Sequence, residues 1–191
     1  RWWPGALRLG LYAIVGMLES DGGVCYNAAA LVGPEGVAGR YRKAHLPYLG
    51  VDRFVEPGDE PFRVHRTGAG ALGILICYDL TFPEASRTLA LDGAELVCLP
   101  TNWPEKREKM PQCVVPTRAL ENKVNYIAVN RVGRERGFTF IGRSRIVDPL
   151  GNVLAEAGPD REEIIVAEVD LAATRSKRTV YAPGEFETDV I

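Results

Sequence analysis

The sequence predicts a layered α/β or α+β domain, because many strand-like segments occur in a chain with two segments of clear helical periodicity. The helical segments are residues 83–92 and 110–125. Two helices among many strands favour sheets with helices packed on their outer faces. A chain of 191 residues, 46% of them hydrophobic, suits one domain with a substantial core.

The predicted strands are short runs of β-branched, aliphatic and aromatic residues bounded by turn residues. No internal repeat, linker or low-complexity segment divides the chain, so residues 1–191 are expected to form a single domain. Residues 175–191 are charged and then turn-rich, and form a C-terminal tail that can extend toward another subunit. The predicted strands cover residues 11–18, 25–31, 37–41, 71–77, 95–99, 126–132, 139–147, 152–156 and 164–169.

The segment GILICYDLTFPEASRTL, residues 73–89, is the most informative part of the chain. It predicts a buried strand, a turn at Cys77 and a helix with Pro83 in its first turn. In such a turn the backbone N–H groups after a nucleophile point toward a bound ligand, so the Tyr78 N–H can stabilise a developing oxyanion. The helix N-terminus also favours the thiolate, the reactive form of cysteine. A buried core cysteine is the alternative interpretation. Asp79 is expected to cap the helix or to orient the site.

A second segment places Lys43 at the end of a strand, in RYRKAHLP at residues 40–47, before a PGD turn at residues 57–59. Together with CYDLTFPE at residues 77–84, this combination resembles the nitrilase or carbon-nitrogen hydrolase superfamily. The resemblance runs from about residue 10 to about residue 178. It includes LPTNWP (99–104), RALENKVNYIAVNRVG (118–133) and FIGRSRIVDPLGNVL (140–154).

The resemblance implies a four-layer αββα sandwich and a Cys-Glu-Lys triad that acts on C–N bonds of amides, carbamoyl groups or nitriles. Carried over, Cys77 is the nucleophile and Lys43 the triad lysine, whose ammonium helps to hold the oxyanion. The triad glutamate, a general base, lies in the family upstream of the segment that matches residues 11–18. We therefore expect the fold to be N-terminally truncated, with a structural role for Glu19.

Two residues after a strand end are candidates for the substrate pocket, Asn102 and Trp103, because substrate-contacting loops emerge at such positions. His45, two positions after Lys43, is a candidate wall residue of the site. The alternative for His45 is packing and hydrogen bonding within the fold.

Many family members carry an additional glutamate in the loop after the lysine. Position alone offers Asp52 and Glu56 in this chain. We take Glu56 as the candidate loop carboxylate near the site, and simple exposure before the PGD turn is its alternative.

The residues after the cysteine, CYD followed by FPE, resemble the amidase and carbamoyl-hydrolysing branches of the family. The resemblance implies hydrolysis of a small amide or an N-carbamoyl compound through a cysteine thioester, with no cofactor. Thr81 stands where many amidase relatives have an arginine, which argues against one acid-binding substrate class. Two other functions stay open: a catalytically inactive homologue acting in binding or assembly, and a thiol-dependent acyltransferase with an amine as acceptor.

Composition limits the partners and the setting. A net charge of −2 gives no general attraction to nucleic acid or anionic membranes, and no apolar run reaches transmembrane length. The cysteines have no CxxC spacing and only two histidines accompany them, so neither a metal site nor a disulfide framework is expected. Cys98 is expected to pack in the core. We expect a cytoplasmic setting and, from the resemblance, a homo-oligomer.

Overall fold

The computed structural model describes residues 8–182, 184 and 186–190. Its first sheet is antiparallel and has three strands in the order β1 (Ala13–Asp21), β2 (Val24–Gly33) and β3 (Gly36–Arg42). Gly22 and Gly23 join β1 to β2 with φ of 58° and 86°. Positive φ at both positions is the conformation that a two-residue hairpin turn requires. Lys43 follows the last residue of β3 directly.

The second sheet has six strands and carries the parallel part of the fold. Its order is β11-β10-β7-β6-β5-β4, with β5, β6 and β7 parallel and the other neighbours antiparallel. The carboxyl ends of parallel strands share one edge of the sheet, so Cys77 after β5 and Asn102 after β6 approach each other there. The bounds are β4 (Val64–Thr67), β5 (Gly70–Ile74), β6 (Leu96–Thr101), β7 (Asn125–Asn130), β10 (Arg145–Val147) and β11 (Val153–Glu156).

Two α-helices follow the strands that carry the site, α1 (Pro83–Leu91) and α2 (Val115–Asn122). Pro83 occupies the first turn of α1, where the missing N–H costs no hydrogen bond. A π-helical turn, Met110–Val114, leads into α2. The predicted helix 110–125 therefore begins as expected and ends early, because Lys123 adopts a left-handed conformation with φ of 49°.

The six-stranded sheet is covered on both faces. A Cβ added at Gly73 of β5 would lie 2.9 Å from Leu89 of α1, so this face packs against the helices. A Cβ added at Gly16 of β1 would lie 3.9 Å from Pro100 of β6, so the opposite face packs against the three-stranded sheet. The α/β layered architecture is confirmed, and the described residues form a helix layer and two sheet layers.

Three predicted strands differ from the structure. Segment 164–169 forms no strand, and its Ile164 and Val166 are 95% and 82% exposed. An extended segment becomes a strand only when a partner strand completes its hydrogen bonds. Segment 139–147 is divided by Gly142 and Arg143, both with φ of 57°, so it gives β9 (Phe138–Ile141) and β10. Segment 71–77 ends as a strand at Ile74.

The remaining strands form two hairpins, in which β8 (Val132–Glu135) pairs with β9, and β12 (Arg178–Ala182) pairs with β13 (Phe186–Asp189). The second hairpin lies in the predicted tail 175–191. Arg178 holds it together through the carboxylates of Glu187 at 2.8 Å and Asp189 at 3.0 Å. No helix in the described part of the chain has the length and apolar character that a membrane span needs.

Candidate functional site

Cys77 lies in the turn that follows β5, at the carboxyl edge of the parallel strands. The Leu75 N–H donates to the Cys98 carbonyl on β6 at 3.1 Å, which holds the last residues before the turn. Cys77 then has φ of 48° and begins the 3-10 turn Cys77–Thr81. A non-glycine residue in this left-handed region costs about 1–3 kcal/mol and persists only where its surroundings hold it. The half-buried thiol is therefore held in a conformation that needs support from its neighbours.

Asp79 supplies that support, because its fully buried carboxylate collects donors from both sheets. Its Oδ2 accepts from the Ile76 N–H at 2.9 Å and from the Tyr41 hydroxyl at 2.8 Å. Its Oδ1 accepts from the His45 N–H at 3.0 Å and lies 2.8 Å from His45 Nδ1. The carboxylate thus joins the cysteine turn to the end of β3.

The environment of Tyr41 keeps its hydroxyl a donor. Burial, and then the neighbouring Asp79 carboxylate, raise the pKa of Tyr41 well above its ordinary value. The hydroxyl also accepts from the Ala44 N–H at 3.1 Å. Tyr41 therefore fixes the backbone on the C-terminal side of Lys43 while it donates to Asp79.

Lys43 is buried, with 2% of its surface exposed, and its ammonium forms an ion pair with Oδ2 of Asp52. Asp52 is itself 4% exposed, and its Oδ1 accepts from Asn27 Nδ2 at 2.7 Å. The Lys43 N–H donates to the Asn27 carbonyl on β2 at 2.8 Å. Asp52 lies in the 3-10 turn Gly50–Arg53, so the loop after β3 folds back over its own lysine.

A small pocket of about 40 Å³ opens at Cys77. This volume suits a group of a few heavy atoms, such as one amide. Three of the predicted pocket residues, Tyr78, Asn102 and Trp103, line it together with Cys77. The other lining residues are Pro47, Leu49, Thr81, Pro104, Arg107 and Met110.

His45 and Glu56 lie elsewhere. His45 is bound to Asp79 through Nδ1 and stacks on Phe82, with ring centroids 3.9 Å apart and an interplanar angle of 15°. Glu56 is exposed, and its N–H donates to the Cys25 carbonyl at 2.9 Å. The structure does not bring either residue into the lining of the pocket, and Asp52 is the loop carboxylate that contacts Lys43.

The pocket wall after β6 is held by a side chain that sequence reasoning did not single out. Asn130, at the end of β7, accepts from the Trp103 N–H through Oδ1 at 2.7 Å and donates through Nδ2 to the Gly142 carbonyl at 2.7 Å. Its backbone N–H donates to Ser144 Oγ at 2.9 Å. The buried Trp103 is thereby fixed against the neighbouring strand.

Sequence reasoning also missed most of the other lining residues. Arg107 lies in the charged run EKREK at residues 105–109, which resembles any solvated loop. Pro47 and Leu49 belong to the loop after Lys43, and only its folding back brings them to Cys77. Their one signal was nearness in sequence to a motif residue. Within the described residues, no group of three or more His, Cys, Asp or Glu side chains converges as a metal site.

Comparison with known proteins identifies the family. A family model described as carbon-nitrogen hydrolase matches residues 6–179. A nitrilase of Pyrococcus abyssi is 47% identical over 171 residues, which cover 88% of this chain and 63% of that protein. The crystal structure of a carbon-nitrogen hydrolase from Helicobacter pylori G27 matches with a TM-score of 0.82 and 34% identity, covering 90% of this chain and 65% of that one.

An amidase from Nesterenkonia sp. AN1 matches with a TM-score of 0.75 and 32% identity, covering 81% of this chain and 60% of that one. Its structure shows covalent addition of the acetamide moiety of fluoroacetamide at the active site cysteine. This chain spans less than two thirds of the length of each of these relatives. Sequence motifs, topology and superposition agree over nearly all of the described residues, and the resemblance is confirmed: the chain belongs to the carbon-nitrogen hydrolase family.

Proposed function

We propose that Cys77 is the nucleophile of a hydrolase that cleaves the C–N bond of small amides or N-carbamoyl compounds, with Lys43 in the same site. The observation that carries the proposal is a half-buried thiol in a left-handed turn that opens into a pocket at the carboxyl edge of parallel strands. A related amidase uses a cysteine for covalent addition of an amide reagent, which supports the same role here.

The position of Lys43 supports its place beside the thiol. Lys43 is two residues from His45, whose N–H binds Asp79, and Asp79 is two residues from Cys77. A buried ammonium in this neighbourhood favours negative charge on the sulfur and on a tetrahedral oxyanion.

The Tyr78 N–H is a second candidate for holding the oxyanion. The described residues contain no hydrogen-bond acceptor for this N–H, whereas the next N–H, that of Asp79, donates to the Ile76 carbonyl at 3.1 Å. An unused donor beside a nucleophile suits a negative charge that develops only during reaction.

The proposed reaction has two covalent steps. In the first, the Cys77 sulfur bonds to the carbonyl carbon, the C–N bond breaks, and the amine or ammonia leaves with a proton. In the second, water adds to the thioester carbon and the C–S bond breaks, which releases the acid and restores the thiol. The thiol proton passes through a general base. Glu19 does not fill that role, because both of its carboxylate oxygens bind Arg40 and Arg42.

The test is ammonia release from short amides, N-carbamoyl amino acids and nitriles, together with mass spectrometry of the Cys77 peptide. We expect Cys77→Ala to lower the rate by a factor of about 10³ or more, while Cys113→Ala, which removes an exposed thiol, leaves it unchanged. An acyl adduct at Cys77 would support the proposal even where the second step is slow. Turnover that survives Cys77→Ala, or the absence of both turnover and adduct, would overturn it and favour a binding role.

Added hydroxylamine or a primary amine separates hydrolysis from acyl transfer. Hydrolysis predicts the carboxylic acid as the main product, whereas an acyltransferase would give the hydroxamate or the new amide at the expense of the acid. The cytoplasmic setting and the homo-oligomer stay predictions from the resemblance, and light scattering of the purified protein measures the oligomeric state.

A further inference from the structure

The pocket at Cys77 contains a guanidinium that the proposed reaction does not use. Arg107 lines this pocket, and its guanidinium lies over the Tyr78 ring, 5.9 Å from the centroid. Tyr78 is held in turn by Phe82, whose ring stands edge-on at 5.4 Å. The cation is thus placed beside the residue that follows the nucleophile.

The positive charge of Arg107 is not neutralised within the fold. No carboxylate in the described part of the chain lies within ion-pair distance of its guanidinium, although ten other arginines there form such pairs. Glu108, its neighbour in sequence, points its carboxylate at the Lys106 N–H at 3.1 Å. The side chain of Arg107 is exposed and available to a ligand.

The rest of the pocket carries no formal charge apart from the reactive thiol. Every other residue in its lining is apolar, aromatic, a hydroxyl or an amide. A volume of about 40 Å³ holds the reacting amide and little more, so the remainder of a substrate must extend outward along the rim where Arg107 lies. A guanidinium binds a carboxylate with two parallel hydrogen bonds, a geometry that an ammonium does not offer.

We propose that Arg107 determines specificity for amides or carbamoyl compounds whose far end carries a carboxylate. This inference rests on the proposed function of Cys77. Arg107 binds the anionic end, and the uncharged pocket receives the amide that Cys77 attacks. Arg107 takes no part in bond making or breaking.

The first test measures the reaction of Cys77 with iodoacetate and with iodoacetamide, two alkylating agents that differ in charge. Peptide mass spectrometry follows Cys77 separately from the exposed Cys25 and Cys113. We expect Arg107→Gln to lower the ratio of the iodoacetate to the iodoacetamide rate at Cys77 by about threefold to tenfold. Lys109→Gln removes one charge from the same loop outside the pocket lining, and should change the ratio by less than about twofold.

The second test compares steady-state kinetics on succinamic acid and on its uncharged methyl ester. We expect Arg107→Gln to raise KM for the acid by about tenfold or more with little change in kcat, and to leave the ester unaffected. A Cys77 that reacts readily with an unchanged ratio in Arg107→Gln would overturn the role of Arg107 alone. A Cys77 no more reactive than Cys25 and Cys113 would overturn the proposed function, and this inference with it.

Discussion

Asp79 and His45 are joined twice, since Oδ1 of the carboxylate lies 3.0 Å from the His45 backbone nitrogen and 2.8 Å from its Nδ1. The two residues belong to different sheets. His45 follows the strand that ends at Arg42, and Asp79 lies in the turn that begins at Cys77. Their contact is what fixes the lysine segment against the cysteine turn.

Asp79→Asn should destabilise the fold by about 3 kcal/mol, the scale for disrupting a buried charged network. The side-chain oxygen of asparagine can replace Oδ1 or Oδ2 but not both. Its NH2 group must then face either the His45 N–H or the Ile76 N–H, so one buried donor loses its acceptor. Urea unfolding followed by tryptophan fluorescence measures the loss. Asp160→Asn, at an exposed position, should stay within about 0.5 kcal/mol of the parent; equal midpoints for the two variants would contradict the bridging role.

The role of Asp79 shows where sequence reasoning stopped short. An acidic residue just before a helix is expected to cap it, but α1 begins at Pro83 after Phe82 without a side-chain cap. The carboxylate instead binds groups more than thirty residues earlier in the chain. Local spacing cannot reveal a contact that exists only after two sheets pack. The same limit applies to Arg107, which folding brings to Cys77 from a charged loop.

Asp52→Leu should destabilise the fold by about 3–5 kcal/mol, because it leaves the buried Lys43 ammonium without its counter-ion. The double variant Lys43→Met with Asp52→Leu removes both charges and should recover part of that loss. A double-mutant cycle on urea midpoints measures the coupling between the two residues. Additive effects of the two changes would show that the ion pair contributes nothing beyond its separate groups.

What the sequence did predict rests on local rules. The strand, cysteine turn and helix around Cys77, and the position of Lys43 at a strand end, follow from apolar runs and turn residues close in the chain. The strand predicted at 164–169 was wrong because pairing, unlike β-propensity, depends on a second segment. Both carboxylates of the loop after Lys43 were weighed, and only the packed loop distinguishes buried Asp52 from exposed Glu56.

Glu19→Gln should lower stability by about 1 kcal/mol near pH 7, and the difference should vanish in acid. Arg42 binds both carboxylate oxygens, at 2.9 and 3.0 Å, and this hydrogen bonding lowers the pKa of Glu19 in the folded state. A carboxylate with a lowered folded pKa stabilises the fold above its unfolded pKa of about 4.3, and loses that effect as the pH falls through its folded pKa.

Urea unfolding of parent and variant at pH 7, 5, 4 and 3 measures this difference for Glu19. The exposed Glu162 provides the matched control, since Glu162→Gln should give almost no difference at any pH. A parent-to-variant difference for Glu19 that persists unchanged at pH 3 would point to packing of the side chain and away from its charge.

Cys98 should resist alkylation at pH 8 in the folded protein, while the exposed Cys25 and Cys113 react. Cys98 packs against the core, and the loss of solvent around its thiol raises its pKa to about 12. At pH 8 its thiolate fraction is then about 10⁻⁴, against about one in four for an ordinary thiol of pKa near 8.5. Iodoacetamide labelling with peptide mass spectrometry should show Cys98 reacting at least about 10³ times more slowly than Cys113, and catching up in urea. Reaction of folded Cys98 within tenfold of Cys113 would contradict this. Both Cys77 and Cys98 stand near the carboxyl ends of parallel strands, so reactivity at the first and silence at the second would show that the left-handed turn, and not the strand end, makes a thiol accessible here.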